Sequence, residues 1–243
     1  MPVREADDRA DVLAIAAHRD DVEQTCGGTL LRMAARGLRT AILDLTQGEA
    51  GTRGTSEDRA REAAEAAKLL GVSRREALDL PDGAIENTVE NRKKIVRVLR
   101  EVRPRVVILP YWQARHPDHY RCCEMGFEAC FLAGLRKLDE YSEPHRPQKI
   151  LYASLYADVK PSFIVDISAQ FERRMTALLS YKSQYGEVTE GGALFPSEQE
   201  IRDRLGAIAR FYGNQIGVKY GEPFVVKEAM QIDDIVSMPV RSI

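Results

Sequence analysis

The amino-acid sequence predicts an α/β fold: a Rossmann-like, mostly parallel sheet with helices on both faces and a C-terminal extension. Short apolar runs rich in strand-forming residues alternate with longer stretches whose apolar residues recur at helical spacing. Such alternation places parallel strands in the middle of a domain and helices outside them. No Pro-, Gly- or Ser-rich linker interrupts the pattern, so residues 1–243 are expected to form a single domain.

The chain opens with a strand, a polar loop, a helix and a second strand. Residues 11–17 are a short apolar run, rich in strand-forming residues and typical of a buried strand, and residues 22–36 have helical spacing that ends at Gly37. A second strand is expected over 40–46. The later elements are predicted in this order: a helix over 56–70 capped by Ser56, a strand over 77–80, a helix over 89–102, a strand over 105–110, a helix over 118–138, strands over 149–155 and 163–167, and helices over 169–182 and 198–211.

Composition excludes several classes of protein. Charged residues make up 30% of the chain and hydrophobic residues 44%, and the net charge is −2, so a generally basic nucleic-acid binder is not expected. No apolar run reaches the ~20 residues that span a bilayer, and the first residues lack the apolar stretch of a secretory signal. The four cysteines form no CxxC pair, which favours reduced thiols in a cytoplasmic protein.

Three of the four histidines follow predicted strands. His18 begins the run HRDD directly after the first strand, and His116 and His119 bound the run HPDH after the strand over 105–110. Because ligands bind at the carboxyl ends of parallel strands, both runs are expected to line one site. The fourth histidine, His145, is expected in a surface loop.

Each run offers two candidate metal ligands three residues apart, His18 with Asp21 and His116 with His119. That spacing brings side chains to one face of a helical turn. Imidazole and carboxylate donors suit Zn²⁺ or another borderline divalent metal, and a catalytic zinc usually has three protein ligands. The remaining acids of the two runs are then available as a general base and a charge stabiliser.

Each run alone has a simpler explanation. An HxxH segment is common on protein surfaces, and adjacent aspartates are common at helix N-termini, where the helix dipole favours negative charge. The conjunction of two such runs after two buried strands favours a metal hydrolase site. A dinucleotide site is disfavoured because Gly27 and Gly28 fall inside the predicted helix and no GxGxxG follows the first strand.

These residues resemble the PIG-L/LmbE-like N-acetylglucosaminyl deacetylases, whose hallmarks are an AHPDDE-type motif after the first strand and an HPDH-type motif further on. Residues 17–23 read AHRDDVE here, and residues 116–119 read HPDH. Similar segments extend over almost the whole chain. They include GTRGT at 51–55, LPDG at 80–83, VDIS at 165–168, YKSQ at 181–184 and IGVKY at 216–220. Arg115, directly before the second motif, fits the bacillithiol-pathway branch, which deacetylates N-acetylglucosaminyl-L-malate.

The resemblance implies zinc-dependent hydrolysis of an N-acetyl group. His18, Asp21 and His119 match the family's zinc ligands. Asp20 matches its general base. His116 matches the histidine that stabilises the tetrahedral intermediate or protonates the leaving amine.

The resemblance also implies supporting roles. Asp118 would hold a histidine ring through a hydrogen bond, and Arg53 and Arg115 are candidates for binding the malate carboxylates. One position departs from the family: Arg19 stands where the motif has proline. This arginine could shift the pH optimum, reach the substrate or point to solvent, and its presence raises the chance of a different substrate or of an inactive relative.

The leading hypothesis is therefore a metal-dependent deacetylase of an N-acetylglucosaminide, with Zn²⁺ or Fe²⁺ as the metal and a small molecule as its partner. The alternatives are the same chemistry on another acetylated sugar or thiol conjugate, and a sugar-binding module without turnover. A homo-oligomer is expected by the same resemblance, with a hexamer as one candidate. Near the motifs, Arg59 is expected on a solvated helix face and Tyr181 and Tyr185 in packing roles.

Overall fold

The computed structural model describes residues 9–138, 142–154, 158–186 and 196–240. Its strands are β1 Val12–Ala16, β2 Thr40–Thr46, β3 Arg74–Leu80, β4 Val106–Pro110, β5 Lys149–Ala153, β6 Phe163–Asp166 and β7 Gly221–Val225. Its helices are α1 Asp21–Thr25, α2 Gly27–Ala35, α3 Ser56–Leu70, α4 Val89–Val102, α5 Pro117–Leu132, α6 Phe171–Leu178, α7 Lys182–Tyr185 and α8 Glu198–Gln215.

The strands form one sheet in the order β3-β2-β1-β4-β5-β7-β6. The pairs from β3 to β5 are parallel, whereas β7 runs antiparallel to both β5 and β6. The predicted mostly parallel α/β fold is confirmed. The change of strand order lies at β1, whose neighbours β2 and β4 lead the chain to opposite sides, and ligands bind at such a point in open α/β sheets.

The central strands are buried on both faces, which is why they read as unbroken apolar runs. Ala14 and Ala16 of β1 join the hydrophobic core on one face, with α2, α3 and α6. Leu13 and Ile15 join the core on the other face, with α4 and α5. Successive side chains of a strand point to opposite faces, so this short strand supports both layers.

Three local differences from the sequence prediction have physical causes. The predicted helix over 22–36 is two helices, because the backbone at Cys26 leaves the helical region. The N-cap of α3 is Thr55, not Ser56: its hydroxyl accepts a hydrogen bond from the N–H of Asp58, while Gly71 ends the helix at φ 70°. The helix α5 ends at Leu132, and a short 3₁₀ turn occupies 136–138.

Sequence reasoning missed β7. Its sequence, GEPFV, contains a glycine and a proline, both of which argue against a strand. The strand nevertheless lies between β5 and β6, with Pro223 opposite Ile164. The C-terminal part of the chain therefore contributes to the sheet, and the exposed extension begins after Val225. No helix among the described residues is long and apolar enough to cross a membrane.

Candidate functional site

The two histidine runs lie side by side at the carboxyl edge of the sheet. The run HRDD follows β1, and Asp21 is the first residue of α1. In the other run, His116 is the N-cap of α5, and His119 lies in its first turn. Because β1 and β4 are neighbouring parallel strands, the loops that leave them meet.

Three side chains from the two runs converge on one point. Nδ1 of His18 lies 3.3 Å from Nε2 of His119. The carboxylate of Asp21 lies between them, with one oxygen 3.2 Å from His119 Nε2 and the other 3.5 Å from His18 Nδ1. That carboxylate also accepts a hydrogen bond from the backbone N–H of His18, at 2.9 Å.

This donor set fits a divalent metal. Nitrogen and oxygen ligands about 2.0–2.1 Å from a tetrahedral zinc lie about 3.3 Å from one another, which is the separation found here. Two further groups could also hold an ion, His18 with His116 and His119, and His18 with Asp82 and Asp118. The second of these faces the other nitrogen of the same ring, so all three groups share His18.

Two carboxylates hold the far side of the His18 ring. Its Nε2 lies 3.1 Å from an oxygen of Asp82 and 3.3 Å from an oxygen of Asp118. Asp118 is itself fixed by the backbone N–H of Gly83, at 2.7 Å. A proton on Nε2 satisfies these carboxylates and leaves Nδ1 free to bind a cation. Asp118 thus contacts the His18 ring, and so does Asp82, which was not among the residues singled out from the sequence.

The pKa values of the cluster reflect its crowded carboxylates. Burial opposes charge on His18, but Asp21, Asp118 and Asp82 outweigh it and raise the pKa of this imidazole to about 12. Burial likewise opposes charge on Asp21 and His119, yet their attraction lowers the pKa of Asp21 well below its usual range and raises that of His119. The carboxylates therefore favour positive charge at this point, as a bound metal ion would provide.

His116 behaves differently. It is exposed, and burial of part of the ring together with the positive charges of His18 and His119 lowers the pKa of its imidazole. Its Nδ1 accepts a hydrogen bond from the backbone N–H of Asp118, at 3.2 Å. The neutral ring consequently carries its proton on Nε2, which is the donor available to a ligand.

Asp20 is held on both carboxylate oxygens. One accepts a hydrogen bond from Arg59 at 3.1 Å, and the other accepts from the Tyr185 hydroxyl at 2.6 Å and from Gln24 at 3.3 Å. The expectation of a solvated Arg59 is wrong, since this residue is only 5% exposed. Tyr185 packs as expected but also donates to Asp20, and no pattern in the sequence pairs these residues.

Arg19 does not point to solvent. It is buried, and its guanidinium donates to the carbonyl oxygen of Ser56 at 2.8 Å. Its own carbonyl oxygen accepts hydrogen bonds from Arg75 and from the hydroxyl of Tyr181. The arginine that replaces proline therefore ties the first histidine run to the start of α3.

His18, Asp20, Asp21, His116 and His119 line an open cleft of about 920 Å³. Arg115 and His116 form part of one wall, and Glu200 and Arg204 of α8 form part of the other. Arg53 is not among the lining residues: it is half-buried and donates to the carbonyl oxygen of Gln184 at 3.2 Å. The α8 wall carries no signal in the sequence, because only the fold brings this helix to the cleft.

Comparisons with known proteins agree with this geometry. The family model described as PIG-L, GlcNAc-PI de-N-acetylase, matches residues 13–130. The diacetylchitobiose deacetylase of Thermococcus kodakarensis is 32% identical over 227 residues, which cover 87% of this chain and 80% of that protein.

Two solved structures share the fold along most of their length. The conserved protein TT1542 from Thermus thermophilus has a TM-score of 0.83 and 40% identity, with 92% of this chain and 98% of that one covered. The N,N'-diacetylchitobiose deacetylase from Pyrococcus horikoshii, in complex with its inhibitor, has a TM-score of 0.77 and 30% identity, with coverages of 89% and 84%. On its sequence and fold alike, this chain belongs to the PIG-L family of de-N-acetylases.

Proposed function

We propose that the protein is a metal-dependent deacetylase that hydrolyses the N-acetyl group of an N-acetylglucosaminide, releasing acetate and a free amine. The observation that carries the proposal is the convergence of His18, Asp21 and His119 beside Asp20 in an open cleft. Three metal ligands, an adjacent carboxylate and room for a sugar are the parts that metal-assisted amide hydrolysis needs.

We propose His18, Asp21 and His119 as the metal ligands, with Zn²⁺ as the metal and Fe²⁺ as the alternative, since the donor set suits both. When bound there, the ion lowers the pKa of a water molecule and polarises the amide carbonyl. Asp118 and Asp82 keep the His18 ring in the orientation that presents Nδ1.

Asp20 is the proposed general base, and His116 the proposed stabiliser of charge. Asp20 takes a proton from the attacking water and passes it to the amine as the carbon–nitrogen bond breaks. His116 donates its Nε2 proton in a hydrogen bond to the carbonyl oxygen as negative charge develops there. Its lowered pKa keeps the ring neutral near pH 7, so it serves as a hydrogen-bond donor rather than as an acid.

For the substrate, we propose N-acetylglucosaminyl-L-malate, an intermediate of bacillithiol biosynthesis. Arg115 lies in the cleft lining, and Arg204 lines it from α8, so cationic groups stand where carboxylates of an aglycone would lie. Arg53, held against Gln184 beside the cleft, is a further candidate once the substrate is bound. Another N-acetyl sugar is the alternative, because two relatives are named as diacetylchitobiose deacetylases.

Three substrates and a metal measurement test the proposal. We expect the purified protein to hold about one metal ion per chain and to release acetate from N-acetylglucosaminyl-malate faster than from diacetylchitobiose or plain N-acetylglucosamine. Faster release from diacetylchitobiose would overturn the malate assignment and keep the chemistry. A metal-loaded protein that binds these sugars without releasing acetate would instead be a sugar-binding module.

We also propose that the chain forms one domain, because β5, β6 and β7 complete the sheet that β1–β4 begin.

An exposed apolar face on α5, with Tyr120, Phe127 and Phe131, supports a homo-oligomer. Light scattering coupled to size exclusion would measure its size. The four free and buried cysteines support a cytoplasmic location.

A further inference from the structure

A second, much smaller cavity lies next to the proposed metal ligands. It measures about 30 Å³ and is walled mainly by aliphatic side chains at the ends of β1, β4 and β5. Asp21 and His119 line both this cavity and the open cleft. The two spaces therefore flank the same pair of ligands, with a polar cleft on one side and an apolar cavity on the other.

The small residues of the sheet create this space. Ala14 and Ala16 of β1 and Ala153 of β5 present only methyl groups to it, and Ile108 of β4 and Cys26 close the sides. All five are buried. Larger residues at the three alanine positions would fill the cavity, because each lies in its wall.

The chemistry of an N-acyl sugar matches this division. The sugar is large and polar and needs the open cleft, whereas the acyl chain is small and apolar. An amide whose carbonyl lies at the ligands His18, Asp21 and His119 has its nitrogen and its acyl carbon on opposite sides of that point. With the sugar in the cleft, the acyl chain is directed toward the apolar cavity.

We infer that this cavity receives the acyl chain and limits its length to three carbons, an inference that rests on the proposed deacetylase function. One water-sized group needs about 10–15 Å³ of such space, so the cavity holds about two. The methyl of an acetyl group fills one position and the ethyl of a propionyl group fills both. A butyryl chain has one carbon too many and meets Ile108 or Cys26.

The register of the sheet supplies a matched control. Ala14 of β1 lies opposite Ile108 of β4 on one side and opposite Ile42 of β2 on the other. Both isoleucines are buried and pack in the same core, but Ile108 lines the cavity and Ile42 is not among its lining residues. Shortening Ile108 enlarges the cavity, whereas the same change at Ile42 leaves its wall intact.

The test compares N-acetyl-, N-propionyl- and N-butyrylglucosamine as substrates. We expect kcat/KM for the propionyl amide within about threefold of that for the acetyl amide, and a fall of about tenfold to two-hundredfold for the butyryl amide, the effect of one methylene too many in an apolar pocket. Ile108→Ala should raise the ratio of kcat/KM for the butyryl amide to kcat/KM for the acetyl amide by at least about tenfold. Ile42→Ala should leave that ratio unchanged, and Ile108→Val with Ile42→Val repeats the comparison in milder variants.

Binding of the product acids gives a second readout that needs no turnover. Calorimetry on the Zn²⁺-loaded protein should show acetate and propionate binding with similar affinity, butyrate binding more weakly, and Ile108→Ala restoring butyrate alone. Equal rates for all three amides, or equal effects of the Ile108 and Ile42 variants, would overturn the inference. Activity on the acetyl amide in that case would leave the proposed deacetylase function standing. Absence of hydrolysis would count against the function, while the acid affinities would still decide the role of the cavity.

Discussion

The two histidine runs meet at one site, yet the protein holds them in different ways. In the first run, Arg19 and Asp21 are buried, and the carbonyl oxygen of Arg19 is anchored by Arg75 and Tyr181. Arg75 in turn forms ion pairs with Glu23 and Asp44, whose carboxylates are also buried. A network of buried charges therefore holds the loop of the first run in place.

The second run is buried at its helical end. Asp118 and His119 are buried, whereas Arg115 and His116 are exposed at the rim of the cleft. We infer from this difference that the buried residues of both runs hold the metal, that Asp20 of the first run is the base, and that Arg115, at the exposed rim, contacts the substrate. Changes at the proposed ligands and at Asp20 should then affect metal binding and turnover, and a change at Arg115 should affect substrate affinity.

Removal of a metal ligand should have the largest effect. We expect His119→Ala to reduce deacetylation to background and to abolish the rise in melting temperature that added Zn²⁺ gives the parent protein, because two ligands hold the ion far more weakly than three. Metal content by mass spectrometry and a thermal melt measure both. His145→Ala is the matched control, because its ring bonds to the carbonyl oxygen of Pro104, away from the cleft. A variant that binds zinc as well as the parent would remove His119 from the ligand set.

Asp20→Asn should separate catalysis from metal binding. The amide keeps the shape of the carboxylate but accepts a proton poorly, so turnover should fall by about 10²–10⁴-fold. Metal content should be unchanged, because Asp20 is not at the convergence of the three ligands. Asp79→Asn provides the control: this aspartate pairs with Lys94 on the surface. Turnover by Asp20→Asn at the parent rate would show that another group is the base.

Tyr181→Phe should test whether the buried network positions the first run. The change removes one hydroxyl that donates to the Arg19 carbonyl and leaves that acceptor with Arg75 alone. We expect a loss of about 0.5–1.5 kcal/mol in the free energy of unfolding, the net contribution of one hydrogen bond, because the carbonyl oxygen keeps Arg75 as a donor. Zinc affinity should fall by up to about tenfold, the low end of the loss seen when groups bonded to metal ligands are removed, because Tyr181 contacts the residue after His18 and not a ligand. Urea unfolding and a zinc titration measure the two, and an unchanged zinc affinity would limit the network to a structural role.

Arg115→Ala should act at the rim and have a smaller effect. A charge-assisted hydrogen bond contributes about 1.5–3 kcal/mol, so KM for N-acetylglucosaminyl-malate should rise by about tenfold or more with kcat little changed. KM for plain N-acetylglucosamine should not change, since that sugar has no carboxylate. Arg61→Ala is the control, because this exposed arginine pairs with Asp58 on the surface of α3 and does not line the cleft. Equal effects on both substrates would assign Arg115 to the sugar instead of to an acid.

The sequence pointed to those parts of the candidate site in which reactive side chains directly follow a predicted strand. The HRDD and HPDH runs follow buried strands, and their residues meet as parallel topology requires. Asp82 also follows a strand, β3, and its place in the LPDG segment was a usable signal. Most of the strands and helices were likewise predicted, since apolar periodicity determines them.

The rest depends on tertiary contacts that no local pattern contains. Arg59 looks like any charged residue in the first turn of a helix, and only the folded chain brings Asp20 within 3.1 Å of it. Tyr185 and α8 line the cleft although they lie more than 160 residues after Asp20 in the chain. The strand β7 was hidden by its own glycine and proline, because pairing with β5 and β6 overrides their low strand propensity.

The smallest effect should be seen at the cysteines that back the two runs. Cys26 follows α1 behind the first run, and Cys122 and Cys123 lie in α5 behind the second. All are buried free thiols. Burial raises the pKa of Cys26 and Cys122, and it raises the pKa of Cys123 to about 12. The thiolates that react with alkylating agents are therefore rare at pH 8. We expect iodoacetamide to leave the native activity unchanged and to label these residues only on unfolding. Faster labelling of Cys122 or Cys123 than of Cys26 would show that the second run opens more readily, as the exposure of Arg115 and His116 predicts.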